Sequence, residues 1–173
     1  MKILLLSISV IFLFFINPVF CEQKIAYINM DRVISTSKPG SSVLKQLNDI
    51  NNKNLEFLKN EEKKFKEKEK KLIAQKNIIT EADFKNKVDK MKSQIDNYNQ
   101  DRKKMIEEFN KLKVENINNL LNQINPILAK YSKQNEISII LKKKDLIIGK
   151  SELDITEEII KIIDNEIKEY KIK

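Results

Sequence analysis

From Ser41 or Ser42 to Lys76, and again from Thr80 to about Ser132, nothing in the sequence obstructs a helix except Pro126. Those two stretches make up more than half of a 173-residue chain that holds only two glycines and three prolines. So little Gly and Pro excludes a turn-rich all-β architecture. Both stretches are rich in Lys, Glu and Asn, which marks long solvated helix that packs along one neighbour.

The second stretch carries the cleaner pattern. Phe84, Val88, Met91, Ile95, Tyr98, Arg102, Met105, Phe109 and Leu112 follow steps of four and three, and Arg102 is the one polar member. That is a heptad seam, the spacing that keeps one stripe of side chains against a partner helix. The first stretch is poorer. Leu44, Leu58, Phe65, Leu72 and Ile79 share one heptad phase, and Asn51 spoils it. Residues 61–71 read EEKKFKEKEKK, with Phe65 their one apolar side chain. Such a segment leans on i,i+4 charge pairs, here Glu62–Lys66 and Glu67–Lys71, and on a single neighbour.

The segment Asn77 to Asp83 is a reversal, with Thr80 as N-cap and Asp83 in the capping-box position. So short a connection makes the two helices antiparallel. Residues 42–124 are therefore expected to form one helical hairpin, its first arm about 50 Å long at 1.5 Å per residue. Beyond Leu112 the stripe changes phase to Val114, Ile117, Leu121, Ile124, Leu128 and Tyr131, broadened by Leu120 and Ile127, as burial in a core or a subunit interface demands. Pro126 is expected to bend this helix.

Both ends of the chain carry β signals. Lys24–Asn29 alternates and is expected as a strand, with a helical turn over 30–37 and a turn at Lys38-Pro39-Gly40. Runs 136–141 and 146–148 are β-branched and read as a hairpin through Lys142–Asp145, giving about three strands in all. Asp154 or Thr156 then caps a closing helix faced by Ile159, Ile160, Ile163 and Ile167. The fold class is α+β, mostly α: a long antiparallel hairpin over 42–124, projecting from a small β-containing body built from 22–41 and 125–173.

Residues 1–21 stand apart. Lys2 precedes an apolar run from Ile3 to Ile16, Pro18 breaks it, and Val19-Phe20-Cys21 leads to a cut before Glu22. That is the layout of a cleaved secretory signal peptide and an exported mature chain. The rival reading makes Cys21 a lipidated first residue, against which bulky Phe20 argues. A retained anchor is disfavoured because the run falls short of the ~20 residues a span needs.

The absence of histidine removes the commonest general base and the commonest metal ligand together. Cys21 is the one cysteine, so no disulfide framework or CxxC pair exists. No DxDxDG-type calcium loop or glycine-rich phosphate loop is present. The chain is thus expected to be no enzyme and to need no metal or cofactor. Net charge is +8, and +7 once the first 21 residues are removed. Arginine occurs only as Arg32 and Arg102, and aromatics are sparse, which disfavours nucleic acid as a partner. Anionic lipid and acidic polypeptide stay open as partners of a lysine-rich surface.

The order of segments carries a resemblance. A signal peptide, KIAYINMDRV at 24–33, a charged helical hairpin, NEISIILKKKDLIIG at 135–149 and DITEEIIKII at 154–163 together resemble the Skp/OmpH periplasmic chaperones across the mature chain. The resemblance implies a homotrimer with a shared β-body and three hairpins hanging around a cavity. It also implies ATP-independent holding of unfolded outer-membrane β-barrel proteins in the periplasm, and it brings in lipopolysaccharide as a partner, with no residue of this chain assigned to it. The alternative from another class is a structural coiled-coil spacer or adaptor of the cell envelope, which would sustain a seam on both arms.

On this reading the side chains divide by role. The trimer body takes Ile25, Tyr27, Ile28, Ile137, Ile139, Leu141 and Ile148, with Ile139 and Ile148 expected inside the sheet's core. Seam packing takes Leu58, Phe65, Leu72, Phe84, Val88, Met91, Ile95, Tyr98, Met105, Phe109 and Leu112. Client contact falls to apolar residues off the seam and near the tip, chiefly Phe57, Ile73, Ile78 and Ile79.

Overall fold

A computed structural model describes residues 23–172; the expected signal peptide lies outside them. Strand β1 spans Lys24–Ile28 and is followed by a short helix α1, Met30–Thr36. Asn29 caps α1 by accepting the Arg32 amide at 3.0 Å. Helix α2 runs Lys38–Gln75 and α3 runs Glu81–Gln134. Strand β2 is Ile137–Lys142, and helix α4, Thr156–Glu166, closes the chain.

Helix α2 starts earlier than the turn signal suggests. Ser37 is its N-cap, and Pro39 sits in the first turn, where a missing N–H costs nothing. Gly40 is needed there for another reason: a Cβ at this position would stand 2.0 Å from the Ile34 carbonyl oxygen. Glycine thus lets α2 begin flush against α1.

At the far end Thr80 caps α3 as expected. Its hydroxyl oxygen accepts the Asp83 amide at 3.2 Å, and the same hydroxyl lies 2.7 Å from the Asp83 carboxylate. Cross-arm contacts give the direction: Leu58 and Glu62 meet Tyr98, Lys68 meets Gln94, and Gln75 meets Lys87. As numbers rise along α2 they fall along α3, so the arms are antiparallel. Helix α3 continues through exposed Pro126 to Gln134 without interruption.

The sheet differs from expectation. It has two strands, β1 and β2, paired in parallel from Ile25↔Ile139 to Ile28↔Lys142. The hairpin of α2 and α3 is therefore inserted in the crossover between them. Residues 146–148 form no strand. A 3-10 turn at Lys143–Asp145 carries the chain away from β2, and only Asp154 bridges back to Tyr27. Ile147 and Ile148 are 103% and 89% exposed, so nothing among the described residues covers the β-branched pair that suggested a strand.

The core is small and drawn from β1 and all four helices, with Ile137 and Ile140 of β2 half-buried against it. Ala26 and Ile28 of β1, Val33 of α1, Val43 and Leu47 of α2, and Leu120, Ile124 and Ile127 of α3 close around Ile155, Ile159, Ile160, Ile163 and Tyr170. It thus reaches into both helices past the boundaries expected at 42 and 124. Along α3 the buried line is Asn116, Leu120, Ile124 and Ile127; the last three belong to the expected stripe, whereas Asn116 was not in it and Val114, which was, is exposed. Asp154 accepts the Thr156 amide at 3.1 Å and bonds its hydroxyl, whose oxygen in turn accepts the Asn29 amide at 2.9 Å. This chain of polar contacts docks the start of α4 against the start of α1.

Candidate functional site

Two regions hold the apolar side chains that the fold leaves uncovered: the hairpin arms, and the outer face of the sheet with the loop that follows β2. On the arms, α2 has no buried residue beyond Leu47, and α3 has none before Asn116. All eleven residues expected in the seam, Leu58 to Leu72 on α2 and Phe84 to Leu112 on α3, are half-buried. Asn51, which breaks the pattern in the sequence, also lies half-buried in the same phase. The alternate α2 positions facing α3 are polar: Asn54, Glu61 and Gln75 are half-buried and Lys68 is exposed. An apolar stripe on α3 therefore meets an α2 stripe in which apolar and polar residues alternate.

The best-defined contact lies midway along the arms. Phe65 and Tyr98 meet edge to face, with centroids 5.4 Å apart and rings at 61°. The Lys68 ammonium sits 5.4 Å from the Phe65 centroid. The Tyr98 hydroxyl lies 3.1 Å from Glu62 and 3.3 Å from the Leu58 carbonyl. Burial, then the Glu62 carboxylate, raises the Tyr98 pKa above the ordinary phenol value. Glu62 is thus spent across the arms rather than on Lys66. The helical ion pairs formed are Glu61–Lys64 on α2 and Lys103–Glu107, Lys104–Glu108 and Lys111–Glu115 on α3.

Towards the tip an open cleft of about 220 Å³ is lined by Lys68, Lys71, Lys87 and Lys90 around Leu72 and Met91. Near it, Ile73 and Ile78 are 63% and 79% exposed, and Phe57 is 50% exposed further back. Ile79 differs from them: it is half-buried and continues the α2 seam. Leu55 and Ile106 are exposed too and were missed by sequence reasoning, and Val114, expected in the buried stripe, is exposed as well. Leu55 and Ile106 lie off the seam, the criterion that singled out Phe57, so the same signal could have found them.

On the body, the parallel register sets Ile25 and Tyr27 beside Ile139 and Leu141 on one face of the sheet. Tyr27 is buried, covered by Gly149, with the Lys143 ammonium 5.6 Å from its ring. Ile25, Ile139 and Leu141 stay exposed, so Ile139 and Ile148 are not in this chain's core, contrary to expectation. Ile28 is buried and Ile137 half-buried on the way to the core. Beside this face a groove of about 680 Å³ runs between α1, α3 and β2, with Ile34, Ile117, Leu121 and Leu128 along it and Lys142–Lys144 at its end.

Lys143 pairs with Asp154 at 2.7 Å. That hydrogen bond and charge raise the Lys143 pKa. Burial acts to raise Asp154, but hydrogen bonds from Lys143 and Thr156 outweigh it and hold the carboxyl below its ordinary range. No group of three or more metal-ligating side chains occurs among the described residues. None of the described helices is long and apolar enough to cross a membrane.

Comparisons with known proteins bear on the whole arrangement. The family model described as Outer membrane protein (OmpH-like) matches residues 24–163. A crystal structure of an OmpH-like protein from Caulobacter crescentus superposes with a TM-score of 0.78 at 15% sequence identity. The match covers 90% of each chain, and at that identity it speaks to the fold alone. No curated protein matches this sequence.

Proposed function

We propose, from the premise that this chain belongs to the OmpH-like family, that it is an ATP-independent periplasmic holdase for unfolded outer-membrane β-barrel proteins. The observation that carries the reading is the make-up of the arms. They are long, hold no buried residue between Leu47 and Asn116, and expose isolated apolar side chains on a lysine-rich surface. Such arms can bend to clients of different size, since the α2 seam alternates apolar and polar contacts. Weak apolar contacts repeated along several arms add up through effective concentration rather than through one tight site. Lysines around the tip cleft draw acidic segments in quickly and release them readily.

The working form is a homotrimer. The exposed face Ile25, Ile139 and Leu141, the uncovered Ile147 and Ile148, and the groove lined by Ile117, Leu121 and Leu128 together make an apolar surface a lone chain leaves wet. Seating further copies there covers it and gathers the arms around one space. The chain reaches the periplasm through cleavage of residues 1–21. A passive envelope spacer fits less well, because a spacer needs a continuous seam and Asn51, Asn54, Glu61, Lys68 and Gln75 interrupt this one.

The test dilutes a urea-unfolded β-barrel protein into buffer with the purified mature chain and no nucleotide, and follows turbidity. Suppression at near-stoichiometric chaperone is expected. Aggregation at the uncatalysed rate, with the oligomer shown intact by sedimentation, would leave the spacer reading standing.

A further inference from the structure

Beyond α4 the chain does not trail away. After Ile167 residues 168–172, outside any helix or strand, run between two shallow grooves, one against Lys38, Ser41, Ser42 and Lys45 of α2, the other against Asn119 and Gln123 of α3. The segment is held at defined points. Gln46 acts on it from both ends of its amide: Nε2 donates to the Tyr170 carbonyl at 2.8 Å, and Oε1 accepts the Ile172 amide at 3.2 Å. Ser42 donates to the same Tyr170 carbonyl at 3.2 Å. The buried Tyr170 side chain crosses to α3, where its hydroxyl lies 3.4 Å from Asn116 Oδ1. Asn116 donates in turn to the Leu112 carbonyl at 2.8 Å.

The level at which these contacts fall gives them meaning. Gln46 precedes Leu47, the last buried residue of α2 on the way out, and Asn116 is the first buried residue of α3 on the way back. The tail therefore crosses both helices at the plane where the body's core ends and the arms begin. We propose that residues 168–172 are a strap that locks the root of the hairpin and sets the angle between arms and body. The leverage is large: from Gln46 to Ile78 the arm is about 48 Å long, so a rotation of about 10° at the root moves the tip about 8 Å. The strap is held by the Gln46 amide, the Ser42 hydroxyl and Tyr170, and of these Tyr170 alone belongs to the core cluster, so Gln46→Ala loosens the strap without removing a core side chain. The inference concerns the chain's own mechanics and holds whatever the arms grip.

Spin labels at Asn77→Cys on the tip and Lys161→Cys on α4, in a chain beginning at Glu22 and so free of other cysteines, diluted into unlabelled chain, report the arm-to-body distance. Gln46→Ala and Tyr170→Ala are each expected to widen that distribution about twofold. The Ile172 amide should exchange at least tenfold faster, while β1 and α4 keep their protection. Gln46 lies outside the core cluster, so its variant answers the question even where Tyr170→Ala fails to fold. An unchanged width after the Ile172 amide has been freed overturns the proposal. So does a loss of protection in β1 and α4 that tracks the tail, since the segment would then be ordinary core.

Discussion

Replacing Phe65 by Ala removes the one aromatic contact that spans the middle of the arms. A fully buried Phe→Ala change costs 3–5 kcal/mol, and Phe65 is half-buried, so the packing loss is about 2 kcal/mol. Losing the edge-to-face pair with Tyr98 adds about 1 kcal/mol. Alanine's better helix propensity returns about 0.5 kcal/mol. The net, about 2.5 kcal/mol, falls on the arms alone, because no residue of the buried core lies between Leu47 and Leu120 except Asn116 beside it. Hydrogen exchange followed by mass spectrometry is the direct assay. Amides in 58–72 and 91–105 should exchange about 60-fold faster, at a factor of ten per 1.4 kcal/mol, while those of β1 and α4 hold. Circular dichroism should show a lower first melting step with the second unmoved. Substituting Ile73, Ile78 and Ile79 by Ser, by contrast, should change melting little, since the first two are mostly exposed, yet should weaken client holding. If Phe65→Ala leaves arm exchange unchanged but abolishes client holding, Phe65 faces the client and the assignment of packing to the seam is wrong.

Ile139→Asp with Ile148→Asp should dissociate the oligomer yet leave a folded chain, because both side chains are exposed in the protomer; sedimentation beside circular dichroism separates this from unfolding. Gly40→Ala should cost about 3 kcal/mol in a urea melt, because its Cβ would drive into the Ile34 carbonyl and α2 would have to shift from α1. Asp154 has a lowered folded pKa, so its contribution is present above the unfolded value near 3.8 and is lost as pH falls through the folded one. Urea melts should therefore weaken below about pH 4, and Asp154→Asn should flatten that acid limb. Client capture should slow as salt rises from about 50 mM to about 500 mM, where the Debye length shrinks from about 14 Å to about 4 Å, while sedimentation shows the oligomer unchanged.

The hairpin was legible in the sequence because its determinants are local. Heptad spacing from Phe84 to Leu112, the Thr80–Asp83 cap and the scarcity of helix breakers act within a few residues of one another, and α3 starts at the Thr80 cap and runs unbroken through that stretch. The seam's quality was less so. The α2 pattern looks merely broken at Asn51, and only the pairing of α2 with α3 brings out the polar set Asn54, Glu61, Lys68 and Gln75 facing an apolar stripe. The body resisted further. Two β-branched runs show strand propensity but name no partner, and an antiparallel hairpin over 136–148 satisfies propensity as well as the parallel β1–β2 ladder that forms. Choosing between them rests on where α3 delivers β2 and on the 3-10 turn at Lys143–Asp145, both set by packing from distant parts of the chain. The strap is the extreme case: Gln46, Asn116 and Tyr170 are ordinary polar and aromatic residues far apart in sequence, and they act together only because α2, α3 and the tail meet where the core ends. Periodicity and capping reach a few residues along the chain, so they determined the arms; contacts across a hundred residues decided the body and the root.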